Sequence, residues 1–323
     1  MSGRQLLTLT VALLVSANAA ALAESYPARP ITLIVPFAAG GPTDTIARVV
    51  TERMRVSLGQ PIIIENVGGA EGGIAVGKAV RAAPDGYTIG IGNVATHVLN
   101  GAAYSLPYNL IGDLAPISLL TDAPAFIVAN KSVSAGDLRE LIAWLNANPG
   151  KMSAGTFATW GRLFGAYFQQ RTGTHIQFVP YRGAAPAMQD LIAGHVDLMF
   201  DQAANTLPQL RAGKIKAYAV AAETRLGLAP DVPTLDESGL SGFHLSVWHG
   251  LWAPKDTPKD ILTRLNSAAV DALGDPSVRQ KLLELGQGVP ARDQQTTEFL
   301  ARYQKAQADK WWPIMKAADI KGG

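Results

Sequence analysis

The chain has 323 residues, 48% of them hydrophobic and 17% charged, with 32 Gly, 20 Pro and no Cys. Its 28 basic and 26 acidic residues give a formal net charge of +2, too even a balance for the basic footprint of a nucleic-acid binder. The length provides for about two domains, the apolar content excludes extended disorder, and the missing thiols exclude disulfides, thiolate zinc sites, cysteine nucleophiles and an acylated N-terminal cysteine.

Residues 1–23 have the plan of a secretory signal. Arg4 is the only charge, a mostly apolar run extends from Leu6 to Val15, and Ala21-Leu22-Ala23 supplies the small-x-small cleavage pattern. The run is shorter than the roughly 20 residues of a spanning helix, although an uncleaved anchor is the alternative. The expectation is an exported, periplasmic protein, cleaved near Ala23 and carrying no lipid tether.

Beyond the signal, strands alternate with helices. Ile31–Val35 is a β-branched run that predicts a buried strand, and the Gly-rich turn Ala38–Pro42 leads to a helix from Thr43 to about Leu58. In that helix Ile46, Val49, Val50 and Met54 recur at three- and four-residue steps. Ile62–Glu65 predicts a second strand, Gly68–Gly73 a second Gly-rich turn into a helix through Val80, and Tyr87–Ile91 a third strand. This order means an α/β fold with a parallel sheet, in which ligands bind at the carboxyl ends of the strands.

A second α/β region begins near Pro124, with strands at Phe126–Ala129, Ile176–Pro180, Val196–Phe200 and Ile215–Ala221. Helices are expected at Asp137–Asn146 and Ala185–Ala193, and a strand-turn-helix over Met152–Arg171. Ser246–Trp252 returns as a strand, followed by helices at Pro258–Leu273, Pro276–Leu285 and Thr296–Lys316. The pattern predicts two α/β lobes around a central cleft, joined by crossing hinge strands. The expected division is 24–124 plus 246–323 for one lobe and 125–245 for the other.

The turn Pro36-Phe37-Ala38-Ala39-Gly40-Gly41-Pro42-Thr43-Asp44 carries the most chemistry. A helix start presents unpaired N–H groups and partial positive charge, which together attract anions. One such contact stabilises by about 0.3–1 kcal/mol, up to about 2 when partly buried, whereas micromolar binding needs about 8 kcal/mol. Several turns must therefore converge, the second at Gly68–Gly73 and another at Thr156–Trp160 being the partners. Asp44 is expected to organise its loop rather than face an anion, with Arg48 neutralising it one helical turn on.

Other chemistries find little support. Gly90-Ile91-Gly92-Asn93-Val94-Ala95 has a G-x-G-x-x-A form, but Pro107 and Pro116 interrupt the βαβ unit that a dinucleotide site requires. There is no G-x-S-x-G elbow, H-E-x-x-H pair or P-loop. The five histidines are scattered, and only His97, just after the third strand, falls on the expected cleft edge. No catalytic residue, cofactor or metal is expected.

These motifs resemble those of the Bug (TctC-like) extracytoplasmic solute receptors of tripartite tricarboxylate transporters. The resemblance runs through Tyr26-Pro27, Pro36-Phe37, Gly40-Gly41-Pro42-Thr43-Asp44, Ala47-Arg48, Glu65-Asn66, Gly68-Gly69, Gly72-Gly73 and Pro84–Thr88. It continues in Val179–Gly183, Pro230–Thr234, and Trp248, Gly250-Leu251 and Ala253-Pro254, so it covers essentially the whole mature chain. It implies a type-II periplasmic-binding-protein fold, not an enzyme, that closes on a small carboxylated metabolite and delivers it to membrane permease subunits. The expected ligand is a dicarboxylate, an amino-acid-like acid or an aromatic acid. The receptor is expected to be a monomer, with a membrane sensor kinase as an alternative partner and an exported hydrolase as an alternative activity. Carried over onto this sequence, the site would comprise Phe37, Ala39, Gly40, Thr43 and Asp44, with Ala70 and Thr96, and from the other lobe Thr156, Phe157, Thr159, Tyr181 and Asp201. In place of the family's small Ser/Gly-rich turn, this chain has the large Phe157 and Trp160, which either line the pocket or pack beneath it. Asp201 would either meet a ligand amine or cap a hinge.

Overall fold

The computed structural model describes residues 26–243, 245–317 and 320, so the segment resembling an export signal lies outside the described residues. Ile31–Val35 (β1) is almost wholly buried and runs into Pro42–Leu58 (α1), where the proline occupies the first helical position that needs no N–H donor. Ile62–Asn66 (β2), Gly73–Val80 (α2), Thr88–Asn93 (β3) and Asn100–Ala103 (α3) complete the first run. Leu114–Asn130 (β4) then crosses the molecule.

Past it the chain makes Leu138–Ala147 (α4), Ser153–Thr156 (β5), Ala158–Thr172 (α5), Gln177–Pro180 (β6) and Ala184–Ala193 (α6). Leu198–Gln202 (β7), Ala203–Arg211 (α7) and Ile215–Val220 (β8) close this region. The chain returns through Ser246–Pro254 (β9) and ends in Lys259–Gly274 (α8), Pro276–Glu284 (α9) and Thr297–Ala317 (α10).

The strands order as β2-β1-β3-β9-β4-β7-β5-β6, with β8 also on β4. β1, β2 and β3 are parallel, as helical crossovers require. Leu114–Pro124 of β4 pairs antiparallel with β9, and from Ala125 onward the same strand pairs with β7 and β8. The partner therefore changes between Pro124 and Ala125. Leu245, just ahead of β9, accepts from Ala125 N and donates to Ala221 O at the same level. Two chain segments thus join two α/β lobes, and the groove lies between them.

The first lobe buries Ile46, Ala47, Val50 and Met54 of α1 against Leu265, Ala268, Ala269 and Ala272 of α8. This is the apolar stripe that the three- and four-residue spacing predicts. The second lobe centres on Phe164, Phe168 and Phe200, with Phe164–Phe200 centroids 5.1 Å apart.

Three elements depart from expectation. β4 extends far beyond Phe126–Ala129, because register shifts at Pro116/Ser118 and Leu119/Thr121 absorb residues that would otherwise break pairing. α7 forms between the two expected strands Val196–Phe200 and Ile215–Ala221, where no helix is expected, and carries Pro208 inside it. After β3 the chain forms a π-helical turn over Ala95–Leu99 rather than a bare turn. Gln304 of α10 holds that turn, donating to His97 O at 2.8 Å and to Leu110 O at 3.1 Å.

Candidate functional site

The first Gly-rich turn is built around Asp44. Its Oδ2 accepts from Gly40 N and Arg48 Nε, both at 2.9 Å, and its Oδ1 accepts from Arg48 Nη2 and Asn66 Nδ2, both at 3.0 Å. Asn66 also donates to Phe37 O at 3.1 Å, tying the end of β2 to the turn. Burial alone would raise the Asp44 carboxyl, but Arg48, Gly40 N–H and Asn66 together hold it below the usual range. Gly40 has φ +80°, where a side chain is strained. Asp44 is thus occupied in shaping the loop, and Arg48 neutralises it.

This turn meets the other lobe around a small inner chamber lined by Gly41, Pro42, Thr43, Phe157, Gly183, Ala184, Ala185 and Gln202, together with Phe37 and Ala38. At about 10 Å³ it has space for about one water molecule. The lobes come into contact here, a Cβ on Gly183 standing 4.0 Å from that of Ala38. An outer cleft of about 720 Å³ adjoins it at Phe37 and Ala38, lined also by Gly68–Gly72, Ala158, Tyr181 and Arg182. That volume lies within the common range for small-molecule sites.

Four helices start at the chamber. Gly41, Phe157, Gly183 and Gln202 are the N-caps of α1, α5, α6 and α7, and no side chain caps any of them. Asp137 and Asp275, by contrast, cap α4 and α9, whose starts line neither cavity. No charged side chain lines the chamber. The positive ends of helix dipoles from both lobes therefore meet at it, beside the polar side chains of Thr43 and Gln202, an environment that favours anionic oxygens.

The expected site residues fall into groups. Phe37, Thr43 and Phe157 line the chamber, and Ala70 and Tyr181 line the outer cleft. Ala39 and Gly40 are exposed on the turn and line neither cavity. Thr96 packs beneath the second turn, where a Cβ on Gly72 would come within 2.6 Å of its methyl, and its Oγ1 lies 2.9 Å from His97 Nδ1. His97 is itself buried and stacked on Trp252 at 3.7 Å, with burial pushing its pKa down to about 3.

Thr156 accepts from Tyr181 N through its carbonyl, and Thr159 bonds Asn100 of the first lobe. Tyr181 Oη donates to Asp190 at 2.6 Å; burial, then Asp190, push its pKa up to about 12. Asp201 is fully buried, its Oδ2 accepting from Asn205 at 2.8 Å and Thr206 at 3.0 Å, so it secures the first turns of α7. Burial pushes its pKa up to about 7 against the bonds from Gln202 N–H, Asn205 and Thr206. Phe157 and Trp160 part company: the former lines the chamber, while the latter is fully buried in the lobe, 5.5 Å from it.

Sequence patterns pass over Gln202, Gly183–Ala185 and His249. Gly183 follows Pro180-Tyr181-Arg182 directly before a helix, a local signal of a helix start. His249 has no local signal, because it reaches Thr43 only through the fold, at 3.1 Å.

A family model described as tripartite tricarboxylate transporter family receptor matches residues 46–320. The chain belongs to that family. Its members are non-enzymatic solute-binding receptors, which sets aside the hydrolase alternative. The structure of the periplasmic binding protein BugD is 38% identical, with a TM-score of 0.88 over 92% of this chain and 99% of that one. MatC from Rhodopseudomonas palustris with bound malate is 38% identical, with a TM-score of 0.86 over 90% and 99%. A second R. palustris structure, solved with adipate, is 31% identical, with a TM-score of 0.86 over 92% and 99%. Among the described residues no helix is long and apolar enough to cross a membrane.

Proposed function

We propose that this receptor captures a small carboxylate in the periplasm and delivers it to the membrane subunits of a tripartite permease. The observation that carries the proposal is the ring of four uncapped helix starts, drawn from both lobes, around a chamber without charged side chains. Such a ring favours a carboxylate over a cation by dipole sign and over a neutral sugar by the charge it offers the dipoles. The chamber as it stands has room for about one water, so the lobes must part slightly to admit one carboxylate group, the rest of the acid lying in the adjoining cleft of about 720 Å³. Because the helix starts come from both lobes, the bound acid favours the arrangement in which the lobes meet, and this difference between open and closed forms is what a permease can read. The malate and adipate in related structures support a dicarboxylate first, with amino-acid-like and aromatic acids next. Phe157 supplies an apolar wall, and Gln202, buried with its Oε1 unpartnered, offers an acceptor to a ligand hydroxyl or amine.

Two measurements test it together. Thermal-shift screening against mono- and dicarboxylates, aromatic acids, sugars and cations should yield a stabilising acid, and mass spectrometry of small molecules released from purified protein should find an acid of that class. Stabilisation by a sugar or cation, with none by any acid, overturns it.

A further inference from the structure

A line of three buried polar side chains leads from the centre of the sheet to the inner chamber. His249 sits on β9 opposite Thr121 of β4 on one side and Asn93 of β3 on the other. Its Nδ1 is 3.3 Å from Thr121 Oγ1 and its Nε2 is 3.1 Å from Thr43 Oγ1. All three side chains are buried, and Thr43, in the first turn of α1, lines the chamber. Burial pushes the His249 pKa down to about 3, so the ring is neutral at any physiological pH.

A neutral imidazole has one N–H and one lone pair, which leaves this line two polarities. With the hydrogen on Nδ1, Thr121 accepts, and Thr43 must give its only proton to Nε2. Its oxygen lone pairs are then all that it presents to the chamber, and they repel an anion. With the hydrogen on Nε2, Thr121 donates to Nδ1 and His249 donates to Thr43 Oγ1. Thr43's own proton is then released toward the chamber.

We propose that His249 is a positioning residue that, as the Nε2–H tautomer with Thr121 donating to its Nδ1, turns the Thr43 hydroxyl into a donor to the bound acid. The inference rests on the carboxylate reading of the chamber and adds to it a side-chain donor set from outside the Gly-rich turn. It also links the ligand to β4 and β9, the strands that join the lobes, through hydrogen bonds rather than packing.

The test uses the full mature receptor, with malate and adipate as first probes and the acid panel behind them. His249→Leu leaves Thr43 its proton but removes the partner that aims it, and should weaken binding about fivefold, part of the worth of one hydrogen bond to a charged group. The same change made on a Thr43→Val background should cost less than about twofold, because the residue acts through Thr43. His249→Gln, whose amide can donate to Thr43 and accept from Thr121, should restore affinity to within about threefold. Nitrogen-15 spectra of histidine-labelled protein should show the ring hydrogen on Nε2 in the acid complex, and Thr121→Val should blur that preference.

An Nδ1–H tautomer in the complex, equal losses on both Thr43 backgrounds, or unchanged affinity in His249→Leu overturns the inference while leaving the carboxylate reading intact. If the wild type binds no acid of the panel, the carboxylate reading falls instead. The ligand-free tautomer then decides the rest, Nε2–H sustaining the donor orientation of Thr43 and Nδ1–H removing it. Should His249→Leu not fold, His249→Gln, Thr121→Val and the wild-type spectrum decide between the two polarities without it.

Discussion

Arg162 of the second lobe stands 3.7 Å from Glu71 on the second Gly-rich turn of the first. The pair is one strand of a cross-lobe network. Arg162 also donates to Tyr104 Oη at 2.8 Å, and Asn100 donates to Glu71 O at 3.0 Å while bonding Thr159 of α5. Glu71 is held at φ +52°, and burial raises its carboxyl against the pull of Arg162. The network fastens the two lobes beside the outer cleft, so it favours the closed arrangement seen here. Glu71→Gln should lower apparent ligand affinity about two- to tenfold, as a partly exposed ion pair of about 1 kcal/mol would. Calorimetric titration reads the affinity and small-angle scattering the shape. A variant as compact and as tight-binding as wild type would give this pair no part in closure.

Asp44 should matter through the loop and not through direct contact. Asp44→Asn puts an amide N–H against Arg48 or Asn66 and should cost about 1–2 kcal/mol, a few degrees in Tm. The sign with pH follows from the lowered carboxyl. The wild-type advantage is full above the unfolded carboxylate range near pH 4 and is lost as pH falls through the lower folded value. Thermal scans at pH 6 and pH 3 should therefore show a gap that is smaller at the lower pH. A gap that persists undiminished at pH 3 would contradict the assignment.

Phe157 and Gln202 should set selectivity. Phe157→Ala removes an apolar wall of the chamber and should shift preference toward bulkier acids, at a stability cost of about 3 kcal/mol. Gln202→Leu should weaken a hydroxy acid such as malate about tenfold while leaving succinate, which lacks the hydroxyl, within about twofold. Competition binding with the malate–succinate pair checks it, and equal losses for both acids would remove Gln202 from hydroxyl recognition.

Asp201 predicts a different pH response. Its folded pKa of about 7 lies above the unfolded value, so the folded state holds the extra proton, and stability falls as pH rises from about 4 to about 7. Asp201→Asn, which keeps an acceptor for Asn205 and Thr206, should raise Tm at pH 8 and change it little at pH 4. Destabilisation at pH 8 would mean that the charged form is favoured in the fold.

The parts of the site legible in the sequence are those built by neighbours in the chain. Asp44 and Arg48 are four residues apart on one helix, and β1, turn and α1 follow one another without interruption. The alternation of strand and helix likewise exposes the α/β class. What the sequence hides is held by register. His249 and Thr43 are 206 residues apart and meet because β9 lies beside β3. Thr96 looks like a cleft residue from its place after β3, yet the φ +86° bend at Gly72 brings the second turn down over it. The long β4 is masked by Pro116 and Pro124, and only its pairing with β9 makes it continuous.

A grip on carboxylate oxygens by main-chain donors from both lobes requires the ligand's charge, not merely its shape. Calorimetric titration of the best-stabilising acid beside its neutral methyl ester, which nearly keeps size and shape but removes the charge, separates the two. The acid should bind at micromolar affinity or tighter, about 8 kcal/mol or more, and the ester at least about a hundredfold more weakly. Ester and acid binding equally well would contradict a carboxylate grip.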